Sequence, residues 1–151
     1  MSRIIPTPPS RIALHEAAHA VTAEIIRPGC VEHIQTDPDD PQTKALSTVS
    51  WTADAYTRWW SEDFSFSEFG AVVFAGMWAE RKSGDPDWVS HCKGDMWAAS
   101  AYVPVWIRSG ASKRAKNLVE KHWDKITAVA KVVDSRPITF GDDIREAMRN
   151  A

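Results

Sequence analysis

Cysteine is scarce in this chain. Cys30 and Cys92 are the only two among 151 residues. Two unclustered cysteines make no disulfide scaffold, and they point to buried free thiols in a reducing compartment. Excess charge is absent too. Eighteen Lys and Arg against twenty Asp and Glu leave a formal net charge of −2, so the chain carries no electrostatic footprint for nucleic acid. Long apolar runs are missing: the most apolar stretch, Phe69 to Ala79, is too short to span a bilayer. No basic segment followed by an apolar one opens the chain, so no signal peptide is expected. No G-x-x-x-x-G-K-[ST] loop occurs, which excludes an ATPase module from these residues. These absences predict a cytoplasmic protein with neither a membrane nor a nucleic-acid partner.

What is present fits one compact domain with a proper core. Residues 1–9 hold three prolines, which exclude helix and ladder hydrogen bonds, so they read as an extended arm before a single domain at 10–151. The chain has no internal repeat. Eight tryptophans are many for this length. Trp78 and Trp97 are expected in the core. Trp59 and Trp60 are adjacent, and two neighbours on a helix cannot both point inward, so one of them is a candidate for a binding surface.

The chain is organised around His15-Glu16-Ala17-Ala18-His19, an H-E-x-x-H motif. Ser10 is a good N-cap, Pro28-Gly29 is a stop, and apolar residues at 14, 17, 18, 21 and 25 keep a helical period that would bury one face. On a helix over about 11–26, two histidines four apart project from one face a turn apart. Two neutral imidazoles so placed can share one zinc ion. Glu16 lies beside the pair, where it can take a proton from water without ligating the metal.

After this helix, 31–36 and 45–51 alternate like short strands, with a loop around 37–41 between them. The second strand, through Ala45, Leu46, Ser47, Thr48 and Val49, could offer an open edge to which an extended peptide adds. A short helix is expected over 52–61. A longer one opens at Ser65 or Ser67, carries Phe69, Val72, Val73, Gly76, Met77 and Glu80 on one face, and stops at Ser83-Gly84. Residues 84–94 read as a loop. Asp95 opens a helix to about Ser109 with a kink at Pro104, and Ala111 to Asp134 reads as one long amphipathic helix with His122 at its core edge. Thr139 to Asp142 caps a last helix ending near Asn150. The fold class is mostly α with a small β element, an α+β domain.

A hydrolytic zinc site needs a third protein ligand and one open position. The metzincin continuation would put Gly and His where Thr22 and Ile25 stand, so that class is excluded. Glu80, Asp85, Asp87, His91 and Asp95 remain as candidates. Glu80 could instead stand behind a ligand, accepting the spare N–H of an imidazole.

In order over about 11–149, the chain resembles the peptidase domain of the FtsH family of zinc metalloproteases. Ile12 to Val21 is similar to the family's H-E-A-G-H helix, and Ala45 to Val49 matches its A-L-G strand in position. Phe74-Ala75-Gly76-Met77-Trp78-Ala79-Glu80-Arg81 resembles its L-G-G-R-A-A-E segment, with Ser83-Gly84-Asp85 where F-G-D follows. Lys93-Gly94-Asp95-Met96 falls where the family has a helix-opening Asp that ligates zinc. Ala18 and Ala75 replace family glycines. The resemblance implies one Zn2+ per chain on His15, His19 and Asp95, with Glu16 as base, in a metallopeptidase that hydrolyses unfolded or flexible polypeptides. Lacking the family's ATPase segment, these residues would act without ATP, or beside a separate ATPase partner or in a homo-oligomeric ring. The alternative is a zinc-binding but non-catalytic adaptor that uses its tryptophans as an interaction surface. A structural site has no use for a base at Glu16, which argues against it.

Overall fold

A computed structural model describes residues 7–35, 48–51 (backbone only) and 64–151. It is mostly helical with a small antiparallel sheet. The elements run α1 (Arg11–Ile26), β1 (Val31–Gln35), β2 (Thr48–Trp51), α2 (Phe66–Lys82), α3 (Trp88–His91), α4 (Lys93–Tyr102), α5 (Val105–Lys121), α6 (Trp123–Asp134), β3 (Ile138–Phe140) and α7 (Gly141–Arg149). The expected loop at 37–41, the helix over 52–61, Trp59-Trp60, and Ala45, Leu46 and Ser47 lie outside the described residues.

α1 starts where its cap requires. Ser10 is extended, and its hydroxyl accepts from the Ala13 N–H. The same serine donates through N–H and Oγ to the Asp134 carboxylate at 2.7 and 2.6 Å, which ties the start of α1 to the end of α6. The one-faced burial expected from the period is corrected: every residue from Ala13 to Glu24 is buried. Alanines at 13, 20 and 23 fit a crowded face as well as an open one, and His15, His19 and Glu24 have hydrogen-bond partners. Glu24 accepts from Arg145 Nη1 at 2.6 Å and from the Gly29 N–H at 2.6 Å. With no face open to solvent over that stretch, α1 packs against α2, α5, α6, α7 and the sheet.

α2 opens with a full capping box, Ser65 with Glu68. It closes with a Schellman turn, in which Gly84 at φ +85° donates to the Arg81 carbonyl and Asp85 to the Glu80 carbonyl. The single kinked helix expected around Pro104 is instead two helices. Proline disfavours α geometry in the residue before it, and Val103 is extended (φ −105°, ψ 117°). The long helix expected over 111–134 is likewise divided, at His122 (φ −111°, ψ 24°). Just beyond, Thr127 Oγ1 donates back to the Trp123 carbonyl at 2.7 Å, a contact that bends helices. His122 is half-buried.

The sheet order is β2-β1-β3, antiparallel throughout. β3 replaces the upstream half of the cap expected at 139–142. The structure also places Trp97 on the surface, 65% exposed, against the expectation of a core residue. Trp78 is half-buried against the core, and its indole N–H donates to Ser112. No described helix is long and apolar enough to cross a membrane.

Candidate metal centre

His15 and His19 leave α1 one turn apart and meet with ring centroids 4.8 Å apart at 74°. Both rings face Gly76 of α2, where a methyl group would lie 2.6 Å from each Nε2. Only glycine leaves that space to the imidazoles. The two Nε2 atoms are 3.0 Å apart, and Asp95 Oδ2 of α4 lies 2.8 Å from one and 3.0 Å from the other. Of the five candidates for a third ligand, Asp95 alone joins both nitrogens. Asp95 was expected to cap its helix, but α4 begins at Lys93, so Asp95 stands in the first turn.

The far side of each ring fixes what the near side offers. His19 Nδ1 is 2.6 Å from the Val72 carbonyl oxygen, which can only accept. His15 Nδ1 is 2.8 Å from Glu80 Oε1. Both Nδ1 atoms therefore carry the hydrogen, and in the neutral rings both Nε2 atoms are bare lone pairs. Two lone pairs and a carboxylate oxygen, mutually within 3.0 Å, repel unless a positive charge sits among them. A proton or a metal ion can supply it. The triangle fits an ion: tetrahedral bonds of about 2.0–2.1 Å would set donors about 3.3 Å apart, a few tenths of an ångström wider than found. His15, His19 and Asp95 could thus hold a metal ion.

The titration of these groups expresses the same demand. Burial works against protonating His15, but hydrogen bonds to Asp95, Cys92 and Glu80 outweigh it and hold the imidazole well above its ordinary pKa. Burial likewise opposes protonation of His19, and the Asp95 charge raises it. Burial pushes the Asp95 carboxyl up, and the imidazoles more than reverse this, leaving it well below the usual range.

No known protein family and no curated protein matches this chain.

Glu16 is buried, with Oε1 3.9 Å from His15 Nε2 and outside the triangle of donors. Asp95 keeps 26% of its side-chain surface exposed, so the triangle reaches solvent on that side. Glu80 is fully buried, and Arg11 Nη1 donates to its Oε1 at 2.7 Å. His91 does not reach the triangle: its Nδ1 lies 2.6 Å from Asp85 Oδ2. Asp87 is exposed at the start of α3. Cys92 is buried and free, and Cys30 is half-buried and free. Burial raises the Cys92 thiol, and proximity to His15 offsets only part of that. Burial likewise pushes Cys30 up to about 12.

Three contributors escaped the sequence reading. The Val72 carbonyl has no side-chain signal. Arg11 stands a turn before His15, but nothing in its spacing names Glu80 as its partner. Gly76 was on the right face, and its position mid-helix was the available clue, since a helix interior disfavours glycine without a packing reason.

Proposed function

We propose that the chain is a zinc-dependent metallopeptidase of the FtsH-like type, acting on unfolded or flexible polypeptides. The observation that carries the reading is the convergence of His15 Nε2, His19 Nε2 and Asp95 Oδ2, with both Nδ1 atoms tied to acceptors and Glu16 held just outside the set. A structural metal site has no need of that extra carboxylate. The helix order and the small sheet after α1 are compatible with the resemblance read from the motifs.

His15, His19 and Asp95 would hold one Zn2+ per chain. When bound, zinc supplies Lewis acidity for the scissile carbonyl and lowers the pKa of a water toward about 7. The chain's own residues do the rest. Glu80, with one charge balanced by Arg11, keeps His15 in the Nδ1–H tautomer, and the Val72 carbonyl does so for His19. Gly76 leaves room for both rings. Glu16 takes a proton from the attacking water and passes it to the leaving amine. The peptide would lie along β2, whose Thr48 and Val49 pair with β1 on one side and with no strand on the other among the described residues.

One observation favours a second reading, a zinc-holding adaptor. Val89, Met96, Trp97, Val105 and Trp106 are all exposed between α3 and the start of α5, with Trp106 at 81%. The two readings separate in one assay. Zinc-loaded protein should cut a casein-like substrate or a flexible peptide library without ATP, and Glu16→Gln or a chelator should stop it, Glu16→Gln with zinc content unchanged. Inert zinc-loaded protein, alone and at high concentration, would leave the adaptor.

A further inference from the structure

The two oxygens of Glu80 keep different company. Oε1 accepts from His15 Nδ1 and from Arg11 Nη1. Oε2 is just as buried, with the side chain 0% exposed, and no hydrogen-bond donor reaches it, while the Asp85 carboxyl lies against the Glu80 carboxylate. Buried carboxylate oxygens are seldom left so. Two side chains from the segment after α2 come to it. The Schellman turn returns Asp85 to the end of α2, its N–H 3.1 Å from the Glu80 carbonyl, and leaves its side chain only 9% exposed. His91, the last residue of α3, places Nδ1 2.6 Å from Asp85 Oδ2 and 3.5 Å from Glu80 Oε2.

We propose that Glu80, Asp85 and His91 form a second divalent-cation site, separate from the His15, His19 and Asp95 centre and joined to it through the Glu80 carboxylate. One donor atom from each of the three lies within 4.8 Å of the others. Two carboxylates side by side favour a cation: Arg11 balances one of them, and the other has an imidazole and the Asp87 N–H as its partners. One imidazole nitrogen with two carboxylate oxygens suits a borderline ion of the zinc type. Ca2+ and Mg2+ prefer oxygen throughout. Access is open, since the His91 side chain is 34% exposed. Binding moves the His91 proton from Nδ1 to Nε2, and Nδ1 then turns its lone pair to the ion. Water completes the shell on the exposed side.

The site has a structural consequence. Asp95 stands four residues after His91. An ion joining His91 and Asp85 to Glu80 would clamp the segment carrying Asp95 onto α2, and so help to seat the third donor of the first centre.

The test is Zn2+ equilibrium dialysis of the full chain with metal content measured, alongside 113Cd NMR of the cadmium-loaded protein. Wild type should bind two ions per chain and show two cadmium resonances. His91→Gln should bind one and lose one resonance, keeping the other. Asp85→Asn should do the same, but Asp85 also accepts from the Asp87 N–H at 3.0 Å, so His91→Gln carries the decision. His19→Ala should lose the other ion and keep this one, which tells the two centres apart. A single ion in wild type that His91→Gln retains, or two ions retained in His91→Gln, overturns the proposal.

Discussion

Replacing Gly76 with alanine tests the centre without touching any donor. The added methyl would sit 2.6 Å from both Nε2 atoms and 2.7 Å from His15 Cε1, where ordinary contact begins near 3.4 Å. Something must yield by about 0.8 Å. The rings cannot simply turn away, because each is held at Nδ1, one by Glu80 and the other by the Val72 carbonyl. The helices cannot easily part, because α1 is buried along Ala13–Glu24 and packed on several sides. Overpacking of this kind costs about 1–3 kcal/mol. Metal distances tolerate only about 0.2 Å, so zinc affinity should fall by about 10–100-fold. Gly110→Ala is the control. Gly110 is a helical glycine whose added methyl meets nothing within 4 Å, so that variant should keep zinc and melt no lower than wild type. The assay is zinc content after dialysis against a weak chelator, with helical signal and melting temperature recorded together. A Gly76→Ala protein that holds stoichiometric zinc at wild-type affinity would refute the placement of the rings against α2.

Three further outcomes follow from the same geometry. Asp95→Ala should empty the His15 and His19 centre, and His91→Ala should leave it filled, as read by a cadmium resonance with two nitrogen ligands; the reverse result would move the third donor to His91. Chelated protein should lose stability as pH rises. The folded pKa values of His15 and His19 are raised, so their contribution is complete below about 6.5 and fades as pH climbs through the raised values, whereas that of Asp95, whose pKa is depressed, is present above about 3.9 and fades only in strong acid. Melting temperatures from pH 5 to 9 should therefore fall with chelator and fall less in Asp95→Asn; a flat profile in chelated wild type would contradict the charge coupling. Arg145→Met should destabilise by about 2–3 kcal/mol in denaturant melts, because it leaves the Glu24 carboxylate buried with only N–H partners; a loss under about 0.5 kcal/mol would show that the pair contributes little.

The elements legible in the sequence were those with chemistry at their ends. Ser10 and Pro28-Gly29 bounded α1, and Ser65 or Ser67 and Ser83-Gly84 bounded α2, where the structure selects Ser65 with Glu68 as the cap. The missed features lacked such marks. β3 is three residues long, too short to show a period, and it exists because Ile138 to Phe140 find β1 across the fold. The break at His122 has no glycine or proline, and the helical hydrogen bonds His122 to Leu118 and Ile126 to His122 persist through it. Pro104 did mark a disturbance, but whether a helix kinks or stops there depends on what Val103 packs against, and Val103 is buried. The burial of α1 on all sides was hidden by alanine, which suits surface and core alike.

The same distinction runs through the metal centre and says something about how it is held. His15 and His19 were legible because their relation is local, fixed by four residues of helix. Asp95 lies 76 residues beyond His19, and only the packing of α4 against α2 brings it there. The two kinds of donor are not equally supported. The histidines stand on a helix buried from Ala13 to Glu24, with each ring pinned at its far nitrogen. Asp95 stands on a ten-residue helix in which Ala99 is the single buried residue. Two donors are thus set by the core, and the third is carried by an element with little apolar burial of its own. Segments with few buried contacts open first. Metal binding and the docking of α4 must then be linked, since an ion that needs Asp95 stabilises every contact that brings Asp95 in. The ion would be a joint between two parts of the fold as well as a reagent, and the Glu80 carboxylate stands beside that joint, between His15 on α1 and His91 at the threshold of α4.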